Sequence, residues 1–204
     1  MNFKRISCLT VLLILGLVSC GTENASQSNT IEPSSSESKS ASQSGEAKAI
    51  IAYFSATNHT KRVAQTIASH TEFPLYELEP VEPYSTSDLN YSNVNSRVVL
   101  EHNDPNRHTE LKNVAFEGFS EAKYVFLGAP VWWQELSWVV DDFVKLNDFS
   151  NKTIIPFGTS ASSNFSTSKL EAFTQNATWL SPKRFSSSVD EQTVISWVDG
   201  LNLN

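Results

Sequence analysis

The sequence contains very little cysteine: only Cys8 and Cys20 in a chain of 204 residues. Because both lie within the first 20 residues, no disulfide can form in the rest of the chain. The fold must then be held by its hydrophobic core, for which a hydrophobic fraction of 40% is sufficient. This length suits one domain with appendages and leaves no room for two full cores.

Glycine is also scarce, with seven residues, and none falls in a known glycine motif. The absence of G-x-G-x-x-G argues against a dinucleotide fingerprint, and the absence of a glycine-lysine loop argues against a nucleoside-triphosphate site. The sequence also lacks the G-x-S-x-G elbow, which argues against a serine hydrolase of that type. His102, Asp104 and His108 lie in a polar loop without a recognised ligand pattern, so we expect no metal site.

The amino-terminal region is typical of an export signal. Lys4 and Arg5 precede an apolar run that is too short for a typical membrane span. The following "LVSC" resembles the lipobox of bacterial lipoproteins, although an ordinary cleaved signal is the alternative. This resemblance implies a signal peptide over residues 1–19, a lipid anchor on Cys20 and a location on the extracytoplasmic face of the cell membrane.

The serine-rich residues 20–47 have almost no large apolar side chains, which predicts a disordered tether before a folded domain at 48–204. Without residues 1–19 the chain keeps 13 basic and 22 acidic side chains, a formal charge of about −9. That charge argues against nucleic acid and against binding to anionic lipid by charge alone. Membrane attachment would come from the lipid.

The folded part alternates between strand and helix patterns. Five predicted strands are "KAIIAYF", the half-buried "PLYELEP", "KYVFLGAP", "TIIPFGTS" and "TWLSPKRFSS". Between them, "TKRVAQTIASH" is helical, with one apolar face formed by Val63, Ala64, Ile67 and Ala68. "WVVDDFVKL" is also helical, with Val139, Phe143 and Leu146 on its buried stripe. Strands alternating with helices predict a three-layer α/β fold with a doubly wound, five-stranded parallel sheet and about five helices.

Two more helices are predicted from capping boxes. Ser168 with Glu171 opens one, and Ser188 with Glu191 opens the last, whose predicted buried stripe is Val194, Ile195, Val198 and Leu201.

Ligands of such sheets bind beyond the carboxyl ends of the strands, where three loops are notable. "SATNHT" offers backbone amides, a helix amino terminus and hydroxyls to an anion, although it is also consistent with a plain helix cap. "APVWW" offers flat apolar surface to a planar heteroaromatic ring; one indole would face the ligand and the other would pack inside, or both belong to the core. "GTSASS" has small residues that allow close backbone approach, as a solvated loop also would.

Together the three motifs resemble those of the flavodoxins. Bacterial members carry "AYFSATGNTKRVA", "PIWW" and "TSGSS" where this chain has "AYFSATNHTKRVA", "PVWW" and "TSASS". The resemblance implies strand order 2-1-3-4-5 and non-covalent FMN. Its phosphate would lie on Ser55, Ala56, Thr57, Asn58, His59 and Thr60. Its ring would lie between the loop of Pro130, Val131, Trp132 and Trp133 and the loop of Thr159, Ser160, Ala161, Ser162 and Ser163.

Two family glycines are replaced in these loops. Asn58 stands in the phosphate turn, and asparagine is the non-glycine residue that best accepts positive φ. Ala161 is less well suited if its position requires positive φ. His59 can add a donor near the phosphate when protonated, or can simply face solvent.

The polar insertion from Glu82 to Lys112 is predicted to close over the flavin or to shape a partner site. Its segment "NSRVVLEHNDPNRHTEL" resembles "NSRSTLEMNDPSSRP" of family members. Its candidate residues are Arg97, Asn103, Asp104 and Arg107.

Three functions remain open from the sequence. The first is a membrane-tethered electron carrier that uses FMN and exchanges electrons with a redox partner protein or a quinone. The second is an FMN-dependent reductase of quinones or other small acceptors, which needs a hydride donor. The third is a flavin-free binding lipoprotein. It stays open because no twin-arginine signal is present, so FMN would have to be acquired outside the cell membrane.

Overall fold

The computed structural model describes residues 49–161 and 163–203. Strand β1, Ala49–Tyr53, is fully buried, as its unbroken apolar run predicts. It is followed by helix α1, His59–Thr71, and by the half-buried strand β2, Leu75–Glu77. The predicted signal peptide, tether and Cys20 anchor, together with Ser162, lie outside the described residues.

The rest of the domain contains shorter elements. In chain order they are α2 Arg97–Asn103, β3 Tyr124–Trp132, β4 Glu135–Leu136, a 3₁₀ turn at Trp138–Val140, α3 Asp141–Leu146, β5 Thr153–Thr159, α4 Ser168–Glu171, β6 Thr178–Trp179, β7 Lys183–Phe185 and α5 Glu191–Asp199. No helix in the described part of the chain is both long enough and apolar enough to cross a membrane.

The central sheet is parallel, in the order β2-β1-β3-β5-β6. Ile51 of β1 pairs with Phe126 of β3, which in turn pairs with Ile155 of β5. Strand β7 also pairs with β5, so β6 and β7 are two pieces of the predicted fifth strand. The interruption contains Pro182, which has no amide hydrogen for the ladder. The predicted fold and strand order are confirmed.

The sheet buries a separate apolar cluster on each face. On one face, α1 and α5 contribute Val63, Ile67, Val194 and Val198 to a cluster with Phe126. We call this the regular face. On the other face, which we call the irregular face, the short helices α2, α3 and α4 contribute Val98, Phe143 and Leu170. The alternation of side chains along each strand supplies both clusters from the same sequence.

Three local predictions are wrong. Leu146 is 67% exposed at the last position of α3, although Val139 and Phe143 of the same predicted stripe are buried. The cap of α4 is Thr167, whose hydroxyl donates to Glu171, so Ser168 is the first helical residue. The cap of α5 is Asp190, whose carboxylate accepts the amide of Thr193 at 2.8 Å. A carboxylate at this position also interacts favourably with the helix dipole.

Candidate functional site

A cleft of about 560 Å³ lies at the carboxyl ends of the parallel strands, a size suited to a small organic ligand. All three predicted loops contribute to it. Of the predicted binding residues, those that line it are Ala56, Thr57, His59, Pro130, Val131, Trp132, Trp133, Thr159, Ser160, Ala161 and Ser163. Ser55, Asn58 and Thr60 belong to the same turn without lining the cleft. Leu89, Tyr91, Gln134 and Ser187 complete the lining.

The first loop is a tight turn at the amino terminus of α1. Asn58 is its left-handed residue, with φ 63° and ψ 0°, and its side chain makes no capping hydrogen bond. The expectation that asparagine would supply this conformation is confirmed. The turn therefore points the unpaired amides and the positive end of a 13-residue helix at one wall of the cleft.

Hydroxyl groups surround this turn. Ser55 Oγ is buried and has no hydrogen-bond partner, which is costly unless a ligand satisfies it. Ser55 borders a second pocket behind the turn, together with Lys61 and Glu77. Thr60 Oγ1 and Thr159 Oγ1 share a buried hydrogen bond of 2.7 Å, which ties the first loop to the third. The donor set of the turn thus fits an anion held without a lysine or arginine.

The two adjacent tryptophans have different environments. Trp132 is 2% exposed and packs in the core with Trp138 and Tyr84, at centroid distances of 4.8 and 5.2 Å. Trp133 is 38% exposed and lies at the cleft. The prediction that one indole packs inside while the other faces outward is confirmed.

The second of the three loops is a tight hairpin turn. Pro130, Val131 and Trp132 are the last residues of β3, and Trp133 with Gln134 forms a two-residue hairpin turn into β4. Both turn residues have positive φ, 46° and 66°. Such turns match the twist of a hairpin but are unfavourable for a large side chain. The hairpin thus carries a bulky indole at its tip in an unfavourable backbone conformation.

Two further aromatic residues flank Trp133. The ring of His102, in α2, stacks on the indole at 4.0 Å with an angle of 7° between the planes. Tyr91 lies 5.1 Å away at 52°, is half exposed and also lines the cleft. Burial raises the pKa of Tyr91 to about 12, so its hydroxyl stays protonated near neutral pH. The sequence offered one signal for Tyr91, an isolated aromatic residue within a polar insertion.

The four candidates of the insertion do not line the cleft. Arg97 pairs with Glu101 at 2.6 Å and lies over the ring of Tyr84. Arg107 pairs with Glu135 at 2.6 Å and lies over Trp138. The other two candidates, Asn103 and Asp104, are exposed at the carboxyl end of α2. Arg107 thus links the insertion to Glu135 and Trp138, whereas the partners of Arg97 lie within the insertion. The insertion contributes Leu89 and Tyr91 to the cleft.

The third loop is fixed by its own backbone contacts. Ser160 Oγ donates to the carbonyl of Ser163 at 2.7 Å, and Arg184 Nη1 donates to the carbonyl of Ser160 at 3.0 Å. Ala161 and Ser163 are exposed, so this rim of the cleft consists of small side chains and main chain. A flat ligand can approach such a rim closely.

The sequence model of the flavodoxin family matches residues 48–201. The chain belongs to the flavodoxin family. This confirms the resemblance seen in the three loops.

Solved structures of this family share the fold. A protein of Bacteroides uniformis, provisionally assigned as a flavoprotein, is 28% identical, with a TM-score of 0.69 over 75% of this chain and 98% of its own. A similarly assigned protein of Bacteroides eggerthii is 29% identical, with a TM-score of 0.69 over 78% of this chain and 100% of its own. A Lactobacillus acidophilus flavoprotein, solved in complex with FMN, shares the fold at 18% identity, with a TM-score of 0.52 over 75% of this chain and 99% of its own. No curated protein matches.

Proposed function

We propose that this flavodoxin-family chain binds FMN in the cleft and acts as an electron carrier. The observation that supports the proposal best is the meeting, in one cleft, of an anion-binding turn at α1 and an exposed indole at the tip of a hairpin. These are the two chemistries that a phosphate bearing a flat heteroaromatic ring requires. FMN, when bound, supplies reversible transfer of one or two electrons.

Each loop around the cleft would have its own role in binding. The backbone amides of the turn and the hydroxyl of Thr57, which lines the cleft, would hold the phosphate. Trp133 and Tyr91 would provide flat contact surface, and the backbone of residues 159–163 would contact ring edges. The Thr60–Thr159 hydrogen bond keeps the phosphate loop and the third loop at a fixed separation, which pre-organises the cleft.

The lining of the cleft favours a carrier over a reductase. Within the described residues it includes no Asp, Glu, Lys or Arg, and its titratable side chains are His59 and Tyr91. Reduction of an organic acceptor usually requires a positioned acid to deliver protons. The cleft offers few such groups, whereas electron transfer to a redox partner protein needs only an accessible ligand edge.

FMN titration of the purified full-length chain in mild detergent tests this proposal. We expect micromolar or tighter binding with quenched flavin fluorescence. Riboflavin, which has the same ring without the phosphate, is the matched control and should bind at least about tenfold more weakly. No FMN binding at micromolar protein would favour the flavin-free alternative, and equal affinity for both ligands would remove the phosphate role of the turn.

The nature of the reaction needs a second measurement. If the FMN-loaded chain is a carrier, nicotinamide nucleotides should not reduce it at a catalytic rate with a quinone present. Rapid turnover under these conditions would establish the reductase instead. Reversible reduction by a chemical or electrode donor should succeed in either case.

We further propose that Cys20 carries a lipid that anchors the chain to the extracytoplasmic face of the membrane. The lipobox-like "LVSC" supports this proposal. Cys20→Ser should abolish incorporation of labelled fatty acid and change the membrane partition of the chain. Cys8→Ser is the matched control and should remain labelled, because Cys8 lies inside the predicted signal peptide. Fatty-acid labelling that survives Cys20→Ser would contradict the assignment.

A further inference from the structure

Three aromatic rings surround Trp133: Tyr91 at 5.1 Å, Trp138 at 5.9 Å and His102, which is stacked on the indole. His102 lies parallel to the indole at 4.0 Å and is not part of the cleft lining. Of the three rings, His102 is the nearest and the one that lies parallel to the indole, so it covers one face of Trp133, whereas Tyr91 and Trp138 are tilted. The stack therefore determines where the exposed indole lies.

The polar surroundings of His102 favour its uncharged ring. His102 Nδ1 is buried and has no hydrogen-bond partner, so a proton placed there would have no acceptor. The guanidinium of Arg107 lies close by, with Nη1 donating to the His102 carbonyl at 3.3 Å. A second positive charge beside it would be repelled. This repulsion and the buried Nδ1 proton without an acceptor outweigh the cation–π attraction that a charged imidazole would gain from the indole.

Nearby carboxylates are already engaged. Glu135 is paired with Arg107 at 2.6 Å. Glu101 accepts from Trp138 Nε1 at 2.9 Å and from the Tyr84 hydroxyl at 2.6 Å, and it also pairs with Arg97. Neither carboxylate hydrogen-bonds to the His102 ring to stabilise a charged imidazole.

We propose that His102 is a positioning residue that fixes Trp133 as a wall of the cleft, and that it does so only in its neutral form. The assignment deepens the proposed FMN function, and its effect on affinity rests on that function. Acidification would then loosen the wall and weaken binding of a planar ligand.

The direction of the pH effect follows from the titration of His102. Burial first, and then Arg107, lower the pKa of His102 below its ordinary 6.5, with Glu135 opposing them. The folded protein thus binds this proton less tightly than the unfolded chain does. The stabilising contribution of the neutral ring is complete above pH 6.5 and is lost as the pH falls through the folded-state pKa.

The principal experiment measures FMN affinity of the full-length chain at about pH 8 and about pH 5, on either side of the histidine range. His102→Phe keeps a flat ring without a titrating group, whereas His102→Ala removes the ring. We expect the wild type to lose about tenfold more affinity on acidification than His102→Phe, and His102→Ala to bind weakly at both pH values. Protonation of the FMN phosphate affects all three proteins alike.

His59 provides a control because it lines the cleft itself. Its protonation would add a positive charge near the phosphate and would strengthen binding, the opposite sign. The His59→Gln variant should therefore keep the acid loss of affinity. An acid loss that disappears in His59→Gln but persists in His102→Phe would overturn the proposal, as would wild-type affinity of His102→Ala at pH 8.

A ligand-free measurement separates this proposal from FMN binding. The contribution of Trp133 to fluorescence, obtained by subtracting the spectrum of Trp133→Phe, should change on acidification in the wild type and not in His102→Phe. If FMN fails to bind but this difference holds, the FMN function is wrong and the positioning role stands. The same response in both proteins would refute the positioning role, even if His102→Ala does not fold.

Discussion

The two faces of the sheet are built by different means. The regular face is covered by α1 and α5, of 13 and 9 residues, whose buried stripes follow helical spacing. The irregular face is covered by α2, α3 and α4, of 7, 6 and 4 residues. It buries the larger apolar cluster of the two, and ring contacts, such as the edge contact between Trp132 and Trp138, and specific polar bonds add to it.

The two faces also contribute different features to the cleft. The regular face provides the amino terminus of α1, a single backbone feature. The irregular face provides Trp133, Tyr91 and their supports His102 and Arg107, which belong to the same packed group as Trp132. We therefore expect core substitutions on the irregular face to change ligand binding, and those on the regular face to change stability alone.

The largest effect is expected in a comparison of Trp132→Ala with Ile67→Ala. Both side chains are buried, on the irregular and the regular face respectively. We expect losses of unfolding free energy of about 3–5 and about 2–5 kcal/mol, measured by denaturant titration. Only Trp132→Ala should also lower the FMN affinity of the molecules that remain folded, because Trp132 supports the hairpin of Trp133. Weakened binding in Ile67→Ala would break the division between the faces.

The sequence predicted the regular face well for a physical reason. Helices that lie along a sheet repeat the same environment every three to four residues, so Val63, Ile67, Val194 and Val198 were correctly placed. On the irregular face, the turn at Trp133 and the insertion around Tyr91 depend on tertiary contacts between distant segments. No local pattern encodes the stack of His102 on Trp133, and no spacing rule identifies Thr167 and not Ser168 as a cap.

Lys152 provides the second test, because it holds the irregular face by polar bonds. Its buried ammonium donates to the carbonyls of Phe119, Ser120 and Ala122 at 2.8, 3.0 and 2.9 Å. Lys152→Met would leave these carbonyls without a donor, and we expect a loss of about 2–3 kcal/mol in denaturant unfolding. The exposed Lys112→Met is the control and should change stability little. Equal effects would mean that the three bonds contribute nothing specific.

The next test concerns Asn58, at the amino terminus of α1, where the regular face reaches the cleft. Because its φ is 63°, Asn58→Ala should lower the unfolding free energy by about 1 kcal/mol. Asn58→Gly accepts the same φ without strain and should stay within about 0.5 kcal/mol of the wild type. FMN titration of the glycine variant should give unchanged affinity, because the backbone amides hold the phosphate. Strong loss of binding in Asn58→Gly would instead indicate a role for the asparagine side chain.

Leu146 gives the smallest expected effect and separates the two kinds of face most directly. The sequence placed it on a buried helical stripe, yet it is 67% exposed at the end of α3. Leu146→Lys should change the unfolding free energy by less than about 0.5 kcal/mol, since a cation also suits a helix carboxyl terminus. Val194→Ala, at a stripe position that is buried on α5, should lose about 1.5–3 kcal/mol. A loss at Leu146 as large as that at Val194 would show that helical spacing governs the irregular face too, and that the polar and ring contacts there are secondary.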